Sequence, residues 1–186
     1  MHRRPLLALL EAHLVRHPED QIRVDHVRQF VRVHADCFAR TCVEGHVTAS
    51  AWILSPDHRR VLLVHHRKLD RWLQPGGHAD GDPDPLGVAL REAREESGLE
   101  RLGPLAGRSP TWPLDVDVHV IPARAGEPAH LHHDVRYLFV AAPDEVPRLS
   151  AESRAIRWFD VTDLASAGAD DGMLRMALRT RALLGG

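Results

Sequence analysis

Lysine is almost missing from this chain. Lys68 is its single occurrence, so arginine carries nearly all of the positive charge. Asparagine is absent, which removes every N-glycosylation sequon. Cys37 and Cys42, the only cysteines, are too few for a disulfide framework or a cysteine-built zinc site; two free thiols in a reducing cytoplasm are expected. No apolar run approaches the roughly 20 residues of a membrane-spanning helix. The stretch from Pro5 to Leu10 follows two arginines, but Glu11 and His13 interrupt it, which makes a poor signal peptide. A net charge of −2 argues against a nucleic-acid polymer as main partner. The expectation is a cytoplasmic protein without a membrane or a nucleic-acid polymer as partner.

Histidine, by contrast, is abundant: 14, against 13 glycines and 13 prolines. The remaining composition is ordinary, 44% hydrophobic and 27% charged over 186 residues, and suits one globular domain with modest additions. Codon usage alone can produce a histidine and arginine bias, so each histidine has to be placed before it carries meaning.

Two helices are expected first, as an N-terminal extension over residues 1–42. Leu6, Leu7, Leu10 and Leu14 recur at helical spacing up to Pro18, and Ile22, Val27, Phe30 and Val31 continue to about Ala35. The pair would serve as a lid or a dimer surface, with a homodimer among the assemblies it allows. His2, His13, His17, His26 and His34 fall here and read as solvated helix residues. From Gly45 the period changes to two: Val47, Ala49, Ala51 and Ile53 alternate with more polar residues, as in a strand. Further strands are expected at Val61–Val64, Leu114–Ile121, His133–Ala141 and Ala155–Phe159. A helix should start at Pro85 after an Asp84 N-cap and end at Gly98. A last helix, Met173–Leu184, should turn Leu174, Ala177, Leu178 and Leu184 inward. The order implies an α/β domain over 43–186, a mixed sheet with helices packed on it.

The segment Arg91-Glu92-Ala93-Arg94-Glu95-Glu96-Ser97-Gly98-Leu99 is the most informative. At about 100° per residue, Glu92, Glu95 and Glu96 share an arc beside the apolar stripe of Leu86, Ala89, Leu90 and Ala93. Clustered carboxylates repel one another unless a cation sits among them, and hard oxygens suit Mg²⁺ or Mn²⁺. A solvated helix with an Arg91–Glu95 pair is the competing reading. The preceding Gly76-Gly77 turn favours the metal, because glycines let backbone and phosphate approach closely.

Gly77 to Leu99 resembles the box of the Nudix hydrolase family: Gly, five residues, Glu, seven residues, then Arg-Glu-hydrophobic-x-Glu-Glu-x-Gly-hydrophobic. Gly77, Arg91, Glu92, Ala93, Glu95, Glu96, Gly98 and Leu99 match. Pro83 stands where the first Glu belongs, with Asp82 one residue earlier, so a reshaped loop is expected. The resemblance extends from about Gly45 to about Leu164 and implies an α/β/α sandwich. It also implies a divalent-metal-dependent hydrolase that cleaves a diphosphate linkage in a nucleoside diphosphate derivative or related small phosphorylated metabolite. Carried over by position, Glu92, Glu95, Glu96 and the carbonyl of Gly76 would hold Mg²⁺ or Mn²⁺, and Arg91 would orient a helix carboxylate through a bidentate pair. Glu152 would be a further acid, as ligand or base, with Asp144 and Glu145 as weaker alternatives. A Nudix-fold protein that binds a nucleotide ligand without hydrolysing it is the other functional class.

Two later segments place Asp115, Asp117 and His119, then His132, Asp134 and Arg136, on single strand faces. If the strands pair antiparallel, Asp117, His119, His132 and Asp134 converge. Three readings stay open: a solvated outer face; a substrate face where His46, Arg67, Lys68, His78, His119, His132, Asp134 and Arg136 bind phosphate or sugar; and a second, transition-metal site of His and Asp.

Overall fold

Pro18 ends the first helix as expected, and the chain then turns back on itself. The computed structural model describes residues 2–106, 109, 112–124, 126, 128–151 and 153–185. In it, α1 (Arg4–Arg16) and α2 (Gln21–Val33) are joined by a 3₁₀ turn at Pro18–Asp20. His13 is not solvated: it is 2% exposed, with Nε2 2.6 Å from Asp20 Oδ2. The apolar stripe of α2, Val24, Val27, Phe30 and Val31, packs into one buried cluster with Leu6 and Leu10 of α1 and with the sheet. Phe30 stacks on His133 at 3.9 Å between ring centroids. The two helices thus pack as a layer against the sheet, although Ile22, expected on the apolar stripe, is exposed along with Val15 and Val33.

Among the described residues, eight strands form one mixed sheet. They are β1 (Gly45–Leu54), β2 (Arg60–His66), β3 (Arg71–Leu73), β4 (Gly76–His78), β5 (Leu102–Gly103), β6 (Asp115–Ile121), β7 (His130–Ala141) and β8 (Ser153–Asp160). β1 and β7 run parallel, with Gly45 opposite Leu131 and Leu54 opposite Val140. The other pairings, such as β1–β4 and β6–β7, are antiparallel. β7 begins three residues earlier than its β-propensity suggests, because pairing with β1 on one side and β6 on the other draws His130 and His132 into the ladder.

β1 is buried at every position, since both sheet faces are covered. Val47, Ala49, Ala51 and Ile53 meet α1, α2 and the carboxylate helix α3 (Pro85–Ser97); Trp52 and Leu54 meet α4 (Asp171–Leu183). Asp84 caps α3 by accepting the Leu86 N–H at 3.2 Å, and Gly98 ends it at φ 68°, a left-handed conformation that suits glycine. α4 is rotated from its expected register. Ala177 is buried, but Leu174, Leu178 and Leu184 are exposed, and Met173, Met176 and Thr180 face inward. The rotation brings Arg175 and Arg179 onto Asp115 of β6. Both cysteines are free and buried, and burial pushes the Cys37 thiol up to about 11. Among the described residues, no helix is long and apolar enough to cross a membrane.

Candidate active site

β4 is three residues long and two of them are glycine, for reasons of space. A Cβ on Gly77 would lie 2.5 Å from the Glu92 carboxylate, and one on Gly76 would lie 2.4 Å from the Ser50 Cβ. The helix carboxylate therefore rests directly on the strand backbone. The ladder also decides where the carbonyls of β4 point. The Ala51 N–H donates to Pro75 O at 2.8 Å and the Ala79 N–H to Val47 O at 3.3 Å, which marks those as the hydrogen-bonded pairs. Gly76 and His78 fall between them, so their carbonyls turn away from β1. The His78 carbonyl accepts from Arg91 Nη2 at 2.8 Å, and that same nitrogen donates to Glu92 Oε1 at 2.8 Å. Arg91 Nη2 thus bridges the His78 carbonyl and the Glu92 carboxylate, the residue it is expected to orient. By the same alternation the Gly76 carbonyl lies on that edge. Glu96 is 7% exposed, and Glu95 is open to solvent. Three carboxylates and a carbonyl, all hard oxygen donors, fit Mg²⁺ or Mn²⁺.

The loop before α3 accommodates Pro83 through its acids. Asp82 Oδ1 accepts the Asp84 N–H at 2.9 Å, and Asp84 then caps the helix. The acid one residue early thus shapes the turn that delivers α3.

The opposite wall is built by β6, β7 and β1. Asp117 stands opposite Asp134 and His119 opposite His132, as expected for antiparallel pairing. From β1, His46 and Thr48 stand opposite His132 and Asp134. This face divides into an ionic end and an imidazole end.

At the ionic end, Asp134 accepts from Thr48 Oγ1 at 3.0 Å, Ser50 Oγ at 2.9 Å and Arg136 Nε at 2.8 Å. Arg136, 4% exposed, also donates to Asp115 and Asp117. Asp115, fully buried, further accepts from Arg175 at 2.8 and 2.7 Å and from Arg179. Arg179 reaches Asp20 at 2.7 Å, and so the network runs from α1 and its following turn to the cleft floor. Burial alone would raise the Asp117 carboxyl, but the His119 hydrogen bond and the Arg136 and Arg175 charges hold it well below the usual carboxylate range. Asp134 and Arg136, expected as substrate ligands, thus also bond extensively within the protein while they line the cleft.

At the imidazole end, His46 lies 4.8 to 4.9 Å from His78, His130 and His132 between ring centroids. Burial, reinforced by the neighbouring histidines, pushes His132 down to about 2 and His78 to about 4. The lowered values favour the neutral imidazoles over their charged forms.

Between the walls lies a cleft of about 870 Å³. It brings together the expected Gly76, Arg91, Glu92, Glu95 and Glu96 with Lys68, His78, His119, His132, Asp134 and Arg136. His46 is buried behind His132. Arg67 does not line the cleft; its Nη2 donates to the Ser153 carbonyl at 3.2 Å. Glu152 lies outside the described residues. Asp144 and Glu145 pair with Arg101 instead. Sequence reasoning missed Thr48, Ser50, Gln74, Arg71, Arg124 and His130 as lining groups. The period of β1 puts Thr48 and Ser50 on the face of His46, which is the signal that finds them.

Residues 45–178 match the NUDIX domain. The chain belongs to the Nudix family. Its similarity to the human m7GpppN-mRNA hydrolase NUDT17 is 32% identity over 139 residues, 66% of this chain and 40% of that protein. To a probable DHNTP pyrophosphohydrolase of Lactococcus lactis it is 31% over 96 residues, 50% of this chain and 52% of the relative. This Nudix chain thus spans well under two thirds of either relative. A C. elegans Ap4A hydrolase structure superposes with a TM-score of 0.59 at 19% identity, covering 75% of this chain and 98% of that one, which supports the mixed sheet with flanking helices.

Proposed function

We propose that the protein is a divalent-metal-dependent Nudix hydrolase. Its substrate would be a diphosphate linkage in a nucleoside diphosphate derivative or related small phosphorylated metabolite. The observation that carries this reading is the convergence of Glu92, Glu95, Glu96 and the Gly76 carbonyl edge on one cleft. Relatives named as an m7GpppN-mRNA hydrolase and a probable DHNTP pyrophosphohydrolase support the reaction class. Mg²⁺ or Mn²⁺ held by these oxygens would acidify a water and neutralise diphosphate charge. The chain's own residues do the positioning. Gly77 lets the Glu92 carboxylate rest on β4, and Arg91 fixes that carboxylate against the His78 carbonyl. Lys68, Arg71 and Arg124 line the cleft as exposed cations and would bind the phosphates. Glu152, just before β8, is proposed as the accessory acid; the engagement of Asp144 and Glu145 with Arg101 favours it over them.

The test is turnover of a panel of nucleoside diphosphate derivatives with Mg²⁺ or Mn²⁺. Glu95→Gln, at a solvent-open position, should retain the fold and lose at least about 100-fold in kcat, as expected when a charge-stabilising group at a reacting centre is removed. Unchanged turnover in that variant refutes the metal assignment. Tight binding without turnover in the unmodified protein would instead support the ligand-binding class.

A further inference from the structure

Imidazoles from four strands meet at one end of the sheet, and the proposed hydrolysis uses none of them. His46 comes from β1, His78 from β4, His119 from β6, and His130 and His132 from β7. Register assembles them. His46 and His119 stand opposite His132 from either side of β7, and His130 lies two residues away on the same face. Ring centroids are 4.9 Å apart for His46 and His130, 5.0 Å for His78 and His132, and 5.2 Å for His130 and His132. Polar atoms withdrawn from water are costly without a partner, and His132 Nε2 is buried with no hydrogen-bond partner. The carboxylates nearby do not satisfy His132: Asp117 pairs with His119, Arg136 and Arg175, and Asp134 with Arg136.

The geometry points to a second metal site, in which His46, His130 and His132 bind a borderline divalent cation of the Zn²⁺ class, with His78 as the candidate fourth ligand. One nitrogen from each of the three lies within 4.8 Å of the others. Tetrahedral Zn–N bonds of about 2.0–2.1 Å place ligand nitrogens roughly 3.3 Å apart. Small ring rotations close that gap while the paired strands keep their places. All-nitrogen ligation separates this site chemically from the all-oxygen carboxylate site: Zn²⁺, Co²⁺ and Ni²⁺ favour imidazole, and Mg²⁺ favours carboxylate and carbonyl. His78, His130 and His132 line the cleft while His46 sits behind them, so any open coordination position faces the ligand space. A second group, His34, Asp36 and Cys42, also brings ligand atoms together. It suits a metal less well, since burial and the Asp36 and Glu44 charges raise the Cys42 thiol and oppose thiolate formation.

The proposal stands apart from the hydrolase reading, and one titration tests it. The full chain, stripped with chelator, is titrated with Co²⁺ in excess Mg²⁺, which occupies oxygen sites. The expected result is a single equivalent of Co²⁺ with the visible ligand-field bands of a nitrogen-ligated ion, displaced by stoichiometric Zn²⁺. His130→Ala and His132→Ala should each lose the bands with folding checked by circular dichroism, and Glu95→Gln should keep them. If His132→Ala fails to fold, His130→Ala decides alone. Bands that persist in a folded histidine variant, bands that vanish in Glu95→Gln, or folded unmodified protein that retains no Co²⁺ would each overturn the proposal. Retained bands with no hydrolysis in any variant would count against the hydrolase reading alone.

Discussion

Replacing Asp115 with asparagine keeps the side chain's shape and removes its charge at the junction of three arginines. In the folded protein Asp115 is fully buried and accepts from Arg136, Arg175 and Arg179. An asparagine leaves one acceptor oxygen and turns an NH₂ toward guanidinium groups that cannot release their protons. Breaking a buried ion pair by removing one partner costs about 3–5 kcal/mol, because a desolvated charge is left uncompensated. Each arginine here retains another carboxylate: Asp134 and Asp117 for Arg136, Asp117 for Arg175, and Asp20 for Arg179. The lower end of the range, about 3 kcal/mol, is therefore expected for Asp115→Asn. For a chain of this size that corresponds to a fall in Tm of about 6–12 °C. Urea denaturation should show the loss in the midpoint with the slope unchanged. A double-mutant cycle with Arg179→Met should show coupling, since the pair touches directly. A loss under about 1 kcal/mol, the scale of a surface pair, would refute the view that this network ties α4 and the N-terminal helices to the cleft floor.

The same network sets an acid limit. Asp20 and Asp117 are held below the ordinary carboxylate value of 3.8, against the opposing effect of burial, by His13 and Arg179 for the first and by His119, Arg136 and Arg175 for the second. A depressed folded value means that the stabilisation is fully present above the unfolded value and is lost as pH falls below it. Denaturation midpoints should therefore hold near pH 5 and above and drop below about pH 4; a midpoint flat down to pH 2 would contradict this assignment. Gly77→Ala should cost about 1–3 kcal/mol by overpacking against Glu92, and should cut kcat by roughly 100-fold where it instead displaces that carboxylate. Melting and steady-state kinetics together check it, and unmodified behaviour in both would show that Glu92 need not lie on β4.

Much of this protein can be read without its structure where neighbours in sequence are neighbours in space. The cap at Asp84, the stop at Gly98 and the shared arc of Glu92, Glu95 and Glu96 depend only on helical geometry. The faces of β6 and β7 follow from a period of two, and even their convergence needed only the assumption of antiparallel pairing. The misreadings have a common origin. His13 reads as solvated because Asp20, which makes its burial tolerable, is brought back by a turn. α4 reads with Leu178 inward because hydrophobicity alone cannot anticipate that Asp115, on a distant strand, rotates the helix toward Arg175 and Arg179.

The sequence by itself determined the carboxylate helix, the glycine turn and the family to which they belong, because those signals are local and periodic. Only the tertiary structure decided what the many histidines and arginines do. Sheet register separates them into an imidazole cluster and a buried ionic network on one face, and register depends on pairings between strands far apart in the chain.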